Sequence, residues 1–251
     1  MSGFAAAWLD LREPADRRAR DAGLLARFAE WVGERDAPPV VDLGSGTGST
    51  LRAIGGVAPH AQWRLVDHDA ALLAEARRRA PQVETRHADL AADLEGAVAG
   101  ADAITASALI DLVSRDWLER LARVASGRAV YIALSVDGQD AFTPPSDGDD
   151  EVLAAFARDQ ARDKGFGPAL GAAAAPVLAE MLGASHAVAM VPSPWLLEAG
   201  RDDALIAELT TGMADAAAAQ GASTEALAAW RAARRERCRI GHLDLLALPR
   251  G

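Results

Sequence analysis

The 251-residue sequence predicts a doubly wound α/β fold, a seven-stranded, mostly parallel sheet with helices on both faces and additional helical lid insertions. Short β-branched runs alternate with helical patterns, which is typical of parallel strands joined by crossover helices. A glycine cluster at residues 44–48 directly follows the first predicted strand and opens a helix. Residues 129–134 are almost continuously apolar, as a strand buried on both faces should be.

Composition limits the number of domains and the kinds of partner. Half of the residues are hydrophobic, so the length suits one domain with a sizeable core. A net charge of −10 argues against nucleic-acid binding, and no apolar run approaches the roughly 20 residues of a membrane span. The single cysteine, Cys238, fits a reducing compartment, and the N-terminus lacks the apolar stretch of a signal peptide. We therefore expect a cytoplasmic protein that binds neither membranes nor nucleic acid and has no metal site. Its oligomeric state, monomer or homodimer, stays open.

The glycine cluster has an acidic residue in front of it. In the run Asp42-Leu43-Gly44-Ser45-Gly46-Thr47-Gly48, alternating glycines allow a sharp turn that brings backbone N–H groups close to a ligand. A dinucleotide site has its third glycine one residue later, and Asp42 would repel a pyrophosphate. A carboxylate here suits a ligand that carries an ammonium and a sulfonium. Residues 40–48 resemble the first motif of class I S-adenosylmethionine-dependent methyltransferases, a Rossmann-like family.

The resemblance implies further cofactor-binding residues at the ends of the next strands. Asp67, about 20 residues beyond the glycines, would accept hydrogen bonds from the ribose hydroxyls. His68 would flank the adenine, Asp89 would accept from its amino group, and Leu90 would supply a backbone or apolar contact. Asp69 is better suited to capping the helix over residues 70–79.

Two residues are expected at the methionine end of the cofactor. Ser107, at the end of the fourth predicted strand, would line the methionine arm. Arg12 is a candidate for the methionine carboxylate, because a guanidinium grips a carboxylate with two parallel hydrogen bonds. The predicted cofactor-binding residues are Arg12, Asp42, Gly44, Ser45, Gly46, Asp67, His68, Asp89, Leu90 and Ser107.

The patterns divide the single domain, residues 1–251, into segments. A helical segment, 1–35, is expected to break at Glu13-Pro14 and precedes the cofactor-binding half, 36–136. A lid insertion, 137–168, should contain a helix ending near Lys164, and the C-terminal half, 169–251, should carry inserted helices over 194–237. Strands are predicted at residues 40–41, 62–66, 83–86, 101–106, 129–134, 187–191 and 240–248, the last of them antiparallel.

The sequence thus favours an S-adenosylmethionine-dependent methyltransferase with a small-molecule acceptor. The acceptor, the atom methylated and the need for a general base stay open, and no catalytic residue is assigned. Asp111 either contacts the acceptor or caps a helix, the second being the more ordinary role. Trp195 either walls an acceptor pocket or packs in the core. A non-catalytic S-adenosylmethionine-binding regulator and an NAD(P)-dependent oxidoreductase remain as alternatives.

Overall fold

The computed structural model describes residues 5–250, which form one large sheet and one small sheet. The strands are β1 Pro39–Leu43, β2 Gln62–Asp67, β3 Glu84–His87, β4 Ala103–Ser107, β5 Ala129–Val136, β6 Ala141–Thr143, β7 His186–Pro192, β8 Trp195–Glu198, β9 Arg237–Ile240 and β10 His242–Pro249. The large sheet has the order β3-β2-β1-β4-β5-β10-β7. Strands β1 to β5 pair in parallel within it, and β10 pairs antiparallel with both β5 and β7. The predicted doubly wound, mostly parallel seven-stranded sheet is confirmed.

Helices cover both faces of the large sheet. They are α1 Ala6–Ala19, α2 Ala22–Gly33, α3 Ser49–Ile54, α4 Ala70–Arg79, α5 Leu94–Ala97, α6 Arg115–Val124, α7 Asp149–Gln160, α8 Ala174–Leu182, α9 Asp203–Ala219 and α10 Thr224–Ala232. Phe28 of α2 and Ile54 of α3 are buried with Val40 on one face of the sheet, whereas Trp117 of α6 and Leu178 of α8 are buried with Val41 on the other. Neighbouring residues of β1 point to opposite faces, so this strand is covered on both sides.

Side-chain caps fix where two of these helices begin. The Asp69 carboxylate accepts hydrogen bonds from the backbone N–H groups of Ala71 and Leu72 at 2.8 and 3.2 Å, which confirms the predicted N-cap of α4. Ser114 caps α6 by accepting from the N–H of Trp117 at 3.3 Å. Both helices therefore start just past the carboxyl ends of strands, with their positive ends toward that edge of the sheet.

The small sheet and three helices form a second layer, which we call the cap and define as β6, α7, β8, α9, α10 and β9. Its sheet is antiparallel, with β9 between β6 and β8. Phe142 of β6 packs edge-on against Trp230 of α10 at 4.7 Å between ring centroids, and Cys238 of β9 is buried in the same cluster. Burial raises the pKa of the Cys238 thiol to about 11, so this residue behaves as a small apolar side chain, as expected.

Three chain crossings connect the cap to the large sheet at one place. In the crossing after β5, the N–H of Asp137 donates to the Gly241 carbonyl at 3.1 Å. In the crossing between β9 and β10, the N–H of Gly241 donates to the Asp140 carboxylate at 2.9 Å. The crossing after β7 donates from the N–H of Ser193 to the His242 carbonyl at 2.8 Å. All three crossings therefore lie at the carboxyl end of β5.

The N-terminal segment differs from the prediction at Pro14. Helix α1 continues through Pro14 to Ala19, and the break falls at Arg20, whose ψ of 131° leaves the helical region. Asp21 then begins α2 by accepting from the N–H of Leu24 at 2.7 Å. The ion pair between Arg12 and Asp16, one turn apart, spans the proline and supports the helix across it.

The predicted final strand, residues 240–248, is wrong at its beginning. Ile240 ends β9 in the cap, and β10 begins only at His242. Gly241 separates them because the Asp137 carboxylate occupies the space of a side chain there, with Oδ1 only 1.7 Å from an ideal Cβ position. The apolar run of residues 240–248 passes from the small sheet to the large sheet at Gly241. Hydrophobic periodicity does not show which sheet a strand belongs to, so the sequence predicted one strand.

The two insertions also hold strands that the sequence pattern did not predict. Helix α7 ends at Gln160, four residues before the predicted end at Lys164, which instead pairs with Asp159 at 2.7 Å. Helix α8 begins at Ala174, after a short 3₁₀ turn over Gly171–Ala173. Strands β6, β8 and β9 are only three or four residues long, so alternation within each is too short to be recognised.

Candidate functional site

The glycine loop is strained in a way that only glycine tolerates. Gly44, Gly46 and Gly48 have φ values of 63°, 53° and 83°, all in the left-handed region. The Leu9 side chain of α1 lies over Gly46, and a Cβ there would sit 2.9 Å from its Cδ1 atom. Glycine at position 46 therefore leaves room for Leu9 of α1 to pack directly on the loop backbone.

Asp67 lies at the tip of β2 and holds the glycine loop. Its Oδ2 accepts from the N–H of Gly46 at 2.8 Å, and its Oδ1 accepts from the N–H of Asp69 at 2.9 Å. Each carboxylate oxygen has a second lone pair, so the group can still accept two hydroxyls. Asp67 therefore ties the glycine loop to the end of β2, and its predicted contact with the ribose stays a prediction.

Asp42 is buried beneath the glycine loop with one oxygen unsatisfied. Thr105 donates to its Oδ1 at 2.7 Å, whereas Oδ2 has no partner within residues 5–250. Burial raises the pKa of Asp42 to about 7, against the Thr105 hydrogen bond and the nearby Arg20 charge, which lower it. A cationic group bound here would satisfy Oδ2 and favour the ionised form.

A hollow lies between α1 and the glycine loop at the carboxyl edge of the sheet, and neither Asp42 nor Asp67 lines it. It encloses about 380 Å³ including its open mouth. Five of the predicted cofactor residues line it, namely Arg12, Gly44, Ser45, Gly46 and Ser107. Arg52 of α3 connects α1 to the glycine loop. It donates to both carboxylate oxygens of Glu13 at 2.8 and 2.5 Å and to the Thr47 carbonyl at 2.5 Å.

Arg20, which sequence reasoning missed, is the buried cation of this site. It is 7% exposed, and no carboxylate lies within 4 Å of it in the described chain. Its Nη2 donates to Ser107 Oγ at 3.1 Å, and its Nη1 has no partner there. The predicted Arg12, by contrast, lines the hollow with its fork already held by Asp16, at 3.0 Å and 3.2 Å.

The predicted adenine residues lie farther along the same edge of the sheet. His68 is exposed, with Nδ1 3.4 Å from Asp67 Oδ1. Asp89 is also exposed and accepts from the N–H of Ala91 at 2.9 Å. Leu90 has a buried side chain, and its carbonyl accepts from the Trp117 indole at 2.8 Å. None of the three lines the hollow, and their contacts with adenine stay a prediction.

On the side of Arg12 that faces the cap lie Trp195 and His242, and the charge of Arg12 also acts on Asp111. Trp195 is buried and donates from its indole to Asp16 at 3.0 Å, which makes it a packing residue beside the hollow. The Arg12 guanidinium carbon lies 5.1 Å from the Trp195 ring centre, and the His242 ring centre lies 5.1 Å from the same indole. Asp111 occupies a 3₁₀ turn just past β4 and is not a helix cap, since Ser114 caps α6.

The unsatisfied buried groups around the hollow match the methionine end of S-adenosylmethionine. Arg20 offers a free N–H donor for a carboxylate, and Asp42 offers a free oxygen for an ammonium. The Ser45 hydroxyl is a third buried group without a partner in the described chain. A zwitterionic ligand would satisfy both charges at once, so the residues present fit this cofactor.

Within residues 5–250, no helix has both the length and the apolar composition needed to cross a bilayer. The same residues contain no group of three or more histidine, cysteine, aspartate or glutamate side chains arranged to hold a metal ion.

Comparison with known proteins agrees with this geometry. Residues 40–127 match a family described as a methyltransferase domain. No curated protein matches the chain by sequence. The solved structure of the YcgJ protein from Bacillus subtilis is 17% identical, covers 92% of this chain and 100% of its own, and superposes with a TM-score of 0.53. The plantazolicin methyltransferase BpumL, solved in complex with SAH, is 12% identical, covers 98% of this chain and 88% of its own, and has a TM-score of 0.52. At these identities the likenesses show the fold.

Proposed function

We propose that this chain is a class I S-adenosylmethionine-dependent methyltransferase whose acceptor is a small molecule, since residues 40–127 match a methyltransferase domain. The observation that carries this proposal is the hollow between α1 and the glycine loop, next to a cap that rises over the same edge of the sheet. A concave site beside a cap suits a compact acceptor rather than a polymer. The plantazolicin methyltransferase BpumL was solved in complex with SAH, which supports the same cofactor for this chain.

The cofactor supplies the reactive group, so the protein mainly positions and shields it. When bound, S-adenosylmethionine carries an electrophilic methyl on sulfur, and the acceptor's lone pair bonds that carbon while the carbon–sulfur pair stays on sulfur. Arg20 and Asp42 would hold the methionine carboxylate and ammonium, and Asp67 the ribose hydroxyls. Orientation of this kind supplies several kcal/mol of a barrier, up to about 7–11 at the extreme.

We place the acceptor between α1, the end of β4 and the crossings to the cap. Ser107 ends β4 and lines the hollow, so the reactive methyl would lie beyond it, toward β5. The cap and α1 close this space from outside, with Trp195 between them. Exclusion of water there protects the sulfonium from competing nucleophiles. The protein would act in solution without nucleic-acid or membrane partners.

Calorimetry with S-adenosylmethionine and S-adenosylhomocysteine tests the proposal directly. We expect micromolar binding of both, because a domain of this class recognises the shared adenosyl and amino-acid groups. Absence of binding to either would end the methyltransferase assignment. Tight binding of NADH instead would favour an oxidoreductase, and binding of S-adenosylmethionine without turnover on any acceptor would favour a regulator.

Asp67→Ala should weaken S-adenosylmethionine binding by roughly 1–3 kcal/mol, since buried hydroxyls of the ribose would lose their acceptor. The same calorimetric titration measures it. Asp102→Ala is the matched control, because Asp102 is exposed at the opposite edge of the sheet. Unchanged affinity in Asp67→Ala would mean that the ribose lies elsewhere.

The affinity for S-adenosylmethionine should fall as the pH drops from 7.5 to 5.5. The pKa of Asp42 lies at about 7 in the free protein, so below that pH the carboxyl is protonated and must release its proton to bind an ammonium. Each pH unit below the pKa then costs up to about tenfold in affinity. Titrations at several pH values check this.

Asp42→Asn is the control for this pH dependence. Its affinity should be lower at pH 7.5 and nearly flat over the same range, because the amide does not titrate. Any remaining slope in the variant reports the other groups of the site. An equal slope in both proteins would remove Asp42 from the ammonium site.

A further inference from the structure

Asp111 is a buried carboxylate without an evident structural role. It is 8% exposed, and its Oδ1 has no hydrogen-bond partner within the described chain. Its 3₁₀ turn, Ile110–Leu112, follows β4, whose neighbours β1 and β5 form the middle of the sheet. Leaving a buried oxygen unpaired costs folding free energy, so such groups usually have a functional reason.

The ordinary explanations for a buried aspartate do not apply here. Asp111 does not cap α6, since Ser114 does. No cation lies within 4 Å of it among residues 5–250. The charge that acts on it is the more distant Arg12, whose fork is held by Asp16. Burial raises the pKa of Asp111 to about 6, against a hydrogen bond from its own backbone N–H and, less strongly, the charge of Arg12.

A second unsatisfied group faces the same Arg12. His242, the first residue of β10, is 4% exposed, and its Nδ1 has no partner within the described chain. Burial, together with the charges of Arg12 and Arg239, lowers the pKa of His242 to about 3, so its imidazole stays neutral. Arg12 and His242 thus lie against the same Trp195 ring, and the charge of Arg12 also acts on Asp111.

We propose that Asp111 takes the proton of the methyl acceptor, and that the acceptor is therefore a molecule with an O–H or N–H nucleophile. This rests on the proposed methyl transfer. As the heteroatom bonds the methyl carbon, its bond to hydrogen breaks, the electron pair stays on the heteroatom and the proton passes to an Asp111 oxygen. The neutral His242 offers a hydrogen-bonding partner on the same side, and Arg12 favours the ionised form of Asp111 before the proton moves.

Methyl transfer to simple probes tests this proposal. Phenol, benzyl alcohol and benzylamine carry a proton on the nucleophilic atom, whereas dimethyl sulfide and N,N-dimethylaniline do not. With methyl-tritiated S-adenosylmethionine, Asp111→Asn should lower kcat on the protic probes by roughly 10²–10⁴-fold and leave the aprotic probes nearly unchanged. Asp116→Asn, an exposed carboxylate in the first turn of α6, is the matched control and should behave as the wild type.

A melting comparison without acceptor provides an independent readout. When folding raises the pKa of a carboxyl, the folded protein loses stability as the pH rises. For Asp111 this loss runs from the pKa in the unfolded chain, near 4, through the pKa in the folded protein, about 6. At pH 8, Asp111→Asn should thus melt at a higher temperature than the wild type, because the buried charge is gone. A carboxylate that holds the fold together would give the opposite sign.

The outcomes separate the two proposals. If S-adenosylmethionine does not bind to the wild type in calorimetry, the proposed function fails. If it binds, but Asp111→Asn keeps wild-type rates on the protic probes or loses as much on the aprotic ones, only the role of Asp111 fails. If no probe is methylated, the melting comparison decides, and a lower melting temperature for Asp111→Asn overturns the inference.

Discussion

Arg20→Met is expected to weaken S-adenosylmethionine binding by roughly 3–5 kcal/mol, or about 10²–10⁴-fold, with little loss of fold. Arg20 Nη1 has no partner in the described chain, and Nη2 donates only to Ser107. Both could therefore donate to the methionine carboxylate. A hydrogen bond between charged partners contributes about 1.5–3 kcal/mol, and two of them act together in this burial. Calorimetry on the folded variant measures the change.

A shorter ligand separates recognition of the carboxylate from general damage. 5′-Methylthioadenosine has the adenosyl group and the thioether but lacks the amino-acid end, so its affinity should be the same for Arg20→Met and the wild type. Arg17→Met on the same helix is the control variant, because Arg17 is half exposed. Equal weakening of both ligands by Arg20→Met would assign Arg20 to the fold and not to the cofactor.

Arg12→Met gives the comparison with the residue that the sequence favoured. The Arg12 fork is held by Asp16, so a carboxylate ligand would have to compete with that pair. We therefore expect a smaller loss of S-adenosylmethionine affinity in Arg12→Met than in Arg20→Met. A larger loss would restore the original assignment.

The glycine loop and the strand tips were predictable because their signals are local. Alternating glycines after a β-branched pair define a turn within nine residues, and the Asp69 cap needs only the next three. Parallel order then follows from chirality and short connections, which bring the ends of β1, β2 and β4 to one edge. The positions of Asp67 and Ser107 required no knowledge of distant contacts.

The cap and the two charged residues depend on contacts between distant parts of the chain. Phe142 pairs with Cys238 across nearly a hundred residues, and neither three-residue β6 nor four-residue β9 is recognisable alone. Arg20 is one arginine among many, and only the packing of α1 against β4 leaves it without a carboxylate. Asp111 has the local sequence of a helix cap, and its unpaired oxygen becomes visible only in three dimensions.

Arg235→Met should lower the free energy of unfolding by roughly 3–5 kcal/mol, because it would leave the carboxylate of Asp149 partly buried without its partner. The Arg235 side chain is only 2% exposed. Both its Nη atoms contact Asp149, the Nη1 at 3.1 Å, and Nη1 also donates to the Pro144 carbonyl at 2.7 Å. Its guanidinium carbon lies 4.7 Å from the Trp230 ring centre, within cation–π range. Urea denaturation followed by circular dichroism measures the loss.

The double variant shows whether the cost comes from the stranded charge. Asp149→Asn combined with Arg235→Met removes both charges, so it should recover part of the stability lost in Arg235→Met alone. Arg231→Met is the surface control, because Arg231 and its partner Asp215 are 51% and 68% exposed and such pairs contribute about 0–1 kcal/mol. If the loss in free energy of unfolding in the double variant instead equals the sum of the losses in the two single variants, the packing of Arg235 on the aromatic rings, and not the ion pair, stabilises the cap. A cap held by that packing should also lose stability in Trp230→Leu, even with the ion pair intact.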